Sequence, residues 1–162
     1  MMKRVCCIGM LLFAAALPVG TLQARPVLDK PAQDALLSAL HDEYHAEAFY
    51  AAVIDKFGQV TPFRNIIKAE RNHERMLKNL MQAYDLPIPP NTLLGDASLK
   101  NTVPATLREA CQMGVDAESA NRDLYDKSLI PAVASHQNIV AVFQKLRDAS
   151  HNNHLPAFER CR

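Results

Sequence analysis

Apolar residues recur along this chain in four tracts, at the spacings of three and four that line one face of a helix. The first tract, Leu36, Leu40, Glu43, Glu47, Tyr50, Ile54 and Phe57, predicts a helix over residues 31–57. Asp29 is placed to cap it, Pro31 falls in its first turn, and Gly58 ends it. The second, Phe63, Ile67, Glu70, His73, Leu77, Leu80 and Tyr84, starts after Thr61-Pro62 and stops before Pro87. The third runs through Leu107, Cys111, Gly114, Glu118, Asn121 and Tyr125, from about residues 102–104 to about 128, with a short segment around Pro131 after it. The fourth, over about 135–161, carries Phe143, Leu146, Ser150, His154, Phe158 and Cys161, with a bend expected at Pro156. Residues 85–103 are proline-rich and lack periodicity, which suits a crossover along the outside of a bundle. The prediction is all-α: an antiparallel four-helix bundle, two helical hairpins joined by a long crossover.

Each of the four seams is broken by acidic or histidine residues where the core belongs. Burying such groups is costly unless they are paired or bind a metal. Glu43 interrupts the first helix, Glu70 and His73 the second, Glu118 the third, and His154, with His151 nearby, the fourth. Glu70-x-x-His73 places both side chains on one helical face. Carboxylate oxygen and imidazole nitrogen together suit iron, manganese or zinc, and copper is not excluded. Single glutamates from two helices with Glu-x-x-His motifs from the others make a di-iron arrangement in a bundle core. The expected ligands are Glu43, Glu70, His73, Glu118 and His154, with His151 as a further candidate. Glu43 or Glu118 would bridge two iron ions, His73 would hold one and His154 the other.

Around them, Glu47 reads as a rim charge or an extra ligand. Tyr50 and Tyr125 read as core residues that hydrogen-bond site carboxylates, and Asn121 as a neighbour of the site. Glu43 to Tyr50 and Glu118 to Tyr125 have the same spacing, a weak internal repeat that predicts a pseudo-symmetric centre. A competing reading is a metal-free bundle in which Glu43–His154 and Glu118–His73 pair as buried salt bridges. Another is a binding module that sequesters a metal without redox turnover.

Composition adds little to the fold but changes the setting. With a net charge of +1, nothing in the composition points to nucleic acid as a partner. Lys3 and Arg4 precede an apolar run over residues 5–19 and small residues up to Ala24, as in a secretory signal peptide. Cleavage there would leave a domain over 25–162 with net charge −1, periplasmic or secreted and without a membrane segment. An oxidising compartment favours pairing the two remaining cysteines. Cys111 lies seven residues before Glu118 and Cys161 seven after His154. In antiparallel helices, both would then sit ~10 Å along the axis on the same side. The alternative is two free buried thiols.

DEYHAEAFY, AERNHERM and GVDAESANRDLY, which carry Glu43, Glu70, His73, Glu118 and the two tyrosines, resemble the first three helices of rubrerythrin-type proteins of the ferritin-like superfamily. AVIDKFGQVTPFRNIIKAE and ASHNNHLPAFERC resemble a bacterial ferritin-like group known as domain of unknown function 2202. The resemblance implies a ferritin-like four-helix bundle and a di-iron centre, without an established activity. The chain departs from the rubrerythrin pattern in three ways. His151 stands where that pattern has Glu, Asn121 stands where a second carboxylate would sit, and a Cys-x-x-Cys electron-donor segment is missing. The expected partners are metal ions, oxygen or hydrogen peroxide, and an unidentified electron donor. A homodimer is compatible with the sequence.

Overall fold

The structure is a computed structural model describing residues 27–162, so the leader expected over 1–24 lies outside the described residues. Every regular element among them is helical. Helix α1 spans Lys30–Phe57 and α2 spans Phe63–Ala83. The Asp29 carboxylate accepts from Ala32 N to start α1, and Gly58, at φ 82°, ends it in a conformation that favours glycine. Contacts between α1 and α2 pair early residues with late ones. Glu47 meets Arg71, Glu43 meets His73, and Lys78 lies over the Tyr44 ring, so the two helices are antiparallel.

The crossover is more ordered than its composition suggests. Asp96 caps a single helical turn, α3 (Ala97–Lys100), which places Leu99 in the core. Lys56 of α1 then holds the strap by donating from Nζ to the carbonyls of Val103 (3.1 Å) and Pro104 (2.7 Å). Helix α4, Leu107–Leu124, starts later than the sequence pattern suggested. A capping box fixes its start: Thr106 Oγ1 accepts from Glu109 N, and Glu109 accepts from Thr106 N.

The short segment expected around Pro131 is present and is joined to α4 without a break. Tyr125–Leu129 makes one π turn, and α5 (Ile130–Ala132) continues the same rod. The last rod is built the same way. Helix α6 (Gln137–Ala149) leads into a π turn, Ser150–His154, and then α7 (Leu155–Glu159). Each π turn stands directly before an X-Pro step, Ile130-Pro131 and Leu155-Pro156. The irregularity expected at Pro156 thus falls just before it, as a π turn. The side chains explain why. Leu146, Ser150, His154 and Phe158 are spaced 4-4-4. In an α-helix each such step drifts ~40° around the axis. A π turn winds more residues into one turn and offsets that drift, keeping all four inward.

These two rods are also antiparallel: Cys111 is bonded to Cys161, Glu118 faces His154, and Tyr125 packs on Phe143. The apolar interior falls into two clusters. One holds Leu36, Leu40, Leu77, Met81, Tyr125, Phe143 and Leu146; the other holds Tyr50, Val53, Phe63, Ile67, Cys111 and Phe158. The polar interruptions of all four rods lie at the boundary between them.

Candidate metal centre

Glu43, Glu70, His73, Glu118 and His154 are each no more than 5% exposed. They form two trios, Glu43–Glu70–His73 and Glu70–Glu118–His154, each with one donor atom per residue within 4.8 Å of the others. Glu70 belongs to both. Its Oε2 lies 3.0 Å from His73 Nδ1 and its Oε1 lies 3.2 Å from His154 Nδ1. Glu43 Oε2 is 3.2 Å from His73 Nδ1, and Glu118 Oε1 is 3.4 Å from His154 Nδ1. The two imidazoles stack with centroids 5.6 Å apart.

This geometry corrects two expectations. The carboxylate that reaches both trios is Glu70, not Glu43 or Glu118, because it stands one turn from His73 on α2 and faces His154 across the core. The buried ion pairs are Glu43–His73 and Glu118–His154, the reverse of the pairing foreseen for a metal-free core. Each glutamate meets the histidine of its own hairpin.

The repeat legible in the sequence becomes a reciprocal pair of hydrogen bonds. Tyr50 of α1 donates its hydroxyl to Glu118 of α4 at 2.7 Å, and Tyr125 donates back to Glu43 of α1 at 3.2 Å. Tyr50 meets Phe63 edge-on and Phe158 at a tilt, and Tyr125 meets Phe143 edge-on. Aromatic walls thus close the centre on both sides.

Other residues named from sequence sit elsewhere. His151 is exposed, on the outer side of the second π turn beside Arg147 and Asp148, away from both trios. One turn after Glu43, Glu47 is buried instead of standing at a rim, and it belongs to neither trio. It accepts from Arg71 Nε (2.7 Å) and Asn91 Nδ2 (3.0 Å). Burial raises the pKa of the adjacent Glu74 carboxyl, although Lys78 opposes this. Asn121 donates to Asp42. Sequence reasoning missed Asp42 and Glu74, which fall off the seam stripe. Their one signal is adjacency to Glu43 and to His73.

The electrostatics follow from burial and pairing. Burial opposes charge on Glu43, Glu70, His73 and His154. For Glu70, hydrogen bonds from His154 and His73 outweigh burial and bring it down to about 2. Burial and the nearby Glu70 carboxylate push Glu43 well above the usual range. Burial disfavours imidazolium, yet bonds to Glu43 and Glu70 lift His73 to about 9, and the Glu118 and Glu70 carboxylates flanking His154 lift it to about 10. Without metal the centre is therefore a buried imidazolium–carboxylate network. His154 Nδ1 is buried and lacks a well-formed hydrogen bond, although two carboxylate oxygens flank it. A buried donor set of carboxylate and imidazole, with one nitrogen unsatisfied, fits a divalent transition metal in place of the protons.

A family model described as an uncharacterized protein domain (DUF2202) matches residues 32–161. The chain belongs to the DUF2202 family. That match takes in all four rods and every member of both trios. Among solved structures, this DUF2202 chain is similar to a hypothetical protein, MJ0754, from Methanococcus jannaschii DSM 2661. The two share 21% identity at a TM-score of 0.70, over 87% of this chain and 84% of that one. At that identity the likeness shows the fold alone. No curated protein matches the chain.

Proposed function

We infer that this protein is an exported, ferritin-like four-helix-bundle protein that binds two iron ions and uses them in iron oxidation or in reducing peroxide or oxygen. The observation that carries the reading is the pair of buried Glu/Glu/His trios sharing Glu70. Glu43, Glu70 and His73 would hold one ion; Glu70, Glu118 and His154 would hold the other. When bound, a ferrous pair supplies two electrons and a Lewis-acidic surface for an O–O bond.

The chain's own contribution is placement. Tyr50 and Tyr125 fix the carboxylate orientation of Glu118 and Glu43. The two apolar clusters keep water from the flanks of the centre. Both histidines give up their protons when a metal takes their nitrogens. Manganese, zinc or copper would use the same donors. Export is supported by the leader-like start of the sequence and by the Cys111–Cys161 disulfide, which persists in oxidising compartments.

Metal analysis of the mature protein expressed with iron tests this reading. Two irons per chain are expected, with an absorption band that bleaches under dithionite and returns with peroxide. Sub-stoichiometric metal that is unchanged in Glu70→Ala would sink it. Zinc uptake without redox response would leave a protein that only sequesters metal.

A further inference from the structure

The candidate centre is reached through a cavity of about 270 Å³ between α1 and α4. Its deep end is Glu43, Glu70 and Glu118; its walls include Ala46, Phe49, Met113 and Ala117. Dioxygen and hydrogen peroxide need little room. A water's share of liquid volume is ~30 Å³, and an apolar cavity of ~150 Å³ holds a benzene. At about 270 Å³ this cavity is larger than the benzene case, with an apolar wall between polar groups at its two ends. The space suits an organic molecule.

The lining also restricts its charge. Three carboxylates stand at the deep end and Asp42 nearer the mouth; His45 is the one basic side chain among the described lining residues, none of which is Lys or Arg. Two bound divalent ions would offset the three deep carboxylates, which leaves Asp42, nearer the mouth, as the carboxylate that disfavours an anionic body in the cavity. The hydroxyl of Tyr50, one of the lining donors, is already committed to Glu118. A neutral molecule with an apolar body and one small polar end fits these conditions. Resting on the two-metal reading above, we propose that the substrate is a neutral organic hydroperoxide. Its O–OH end would point to the Glu70 centre and its body would lie against Phe49 and Met113.

The balance is simple. The O–O bond of R–O–OH breaks, the distal oxygen leaves as water and the proximal oxygen becomes the alcohol R–OH. Two protons come from solvent at the cavity mouth, and two electrons come from oxidation of two ferrous ions to ferric.

The probe is 2-phenyl-2-propanol, the alcohol product of cumene hydroperoxide. Its binding is followed by saturation-transfer NMR on the full mature chain, both metal-free and zinc-loaded. The comparison variant is Ala117→Phe, at an exposed α4 position that admits a ring into the cavity. Wild-type protein should bind the alcohol, and Ala117→Phe should weaken that binding by about tenfold, a typical effect of altered fit in an apolar pocket. In ferrous protein, the ratio of rate constants for cumene hydroperoxide to hydrogen peroxide should fall about tenfold in Ala117→Phe. Absence of alcohol binding by wild type, or equal loss for both peroxides in the variant, would overturn the assignment. Zinc content is read on the same samples. Protein that takes no zinc overturns the two-metal reading and the hydroperoxide with it. Protein that takes zinc but ignores the alcohol overturns the hydroperoxide alone.

Discussion

Glu70→Gln separates a shared carboxylate from two independent sites. Glu70 is the one carboxylate placed in both trios, whereas Glu43 and Glu118 each serve one. Gln keeps the shape and loses the charge. In the metal-free protein its amide can accept from one histidine but not both, so one charged hydrogen bond is lost, costing about 1.5–3 kcal/mol. In the metal-loaded protein both ions lose a ligand. At a free metal concentration of ~100 Kd, each ion stabilises the fold by about 2.7 kcal/mol, or about 5 kcal/mol for two. At ~3 °C per kcal/mol for a domain of this size, metal should raise the wild-type Tm by about 15 °C. That rise should vanish in Glu70→Gln and fall to about half in Glu43→Gln and in Glu118→Gln. The assay is a thermal scan with and without zinc, beside metal content by mass spectrometry. The reasoning is refuted if Glu70→Gln still holds two ions, or if Glu43→Gln alone loses both.

The metal-free protein should be most stable near pH 4.5 and lose stability on either side, since Glu43, held well above the usual carboxylate range, adds a loss as pH rises past 4.5. Folded values of about 9 for His73 and about 10 for His154 lie above the ordinary 6.5, so their contribution is complete below that pH and is lost as pH rises through 9 to 10. Glu70, at about 2, contributes above its ordinary 4.5 and loses that contribution as pH falls toward 2. Urea midpoints across this range would expose an error if they stayed flat from pH 6 to 10. Metal affinity should run the other way, rising with pH as the imidazole protons become easier to displace. Gly114→Val should cost about 3 kcal/mol, because a Cβ at Gly114 would stand 2.6 Å from the Phe158 ring; an unchanged guanidinium midpoint would contradict that packing. Reducing Cys111–Cys161 opens a link with a sequence separation of 50 and should destabilise the fold by about 4 kcal/mol on the chain-entropy account, read as a midpoint shift with reductant. Tyr50→Phe leaves Glu118 without its phenolic donor and should lower stability by about 1–3 kcal/mol, with calorimetry as the readout.

The sequence by itself determined the four helical tracts and the polar residues that break them. Helical period is a local property, and a buried Glu or His on an apolar stripe stands out without knowledge of its neighbours. It also held the Cys111–Cys161 pair and the Glu-to-Tyr repeat, since antiparallel rods convert equal spacings into equal heights. What it could not hold was which partner each group meets. Glu70 reaches both histidines, each tyrosine crosses to the opposite hairpin's glutamate, and Glu47 turns aside to Arg71 and Asn91. Those choices depend on rod rotation and height, set by packing across the whole interior. The π turns belong to the same class. The 4-4-4 spacing from Leu146 to Phe158 is visible in the chain, but only contact with the other rods makes it worthwhile to widen a turn, keep His154 inward and leave His151 in solvent.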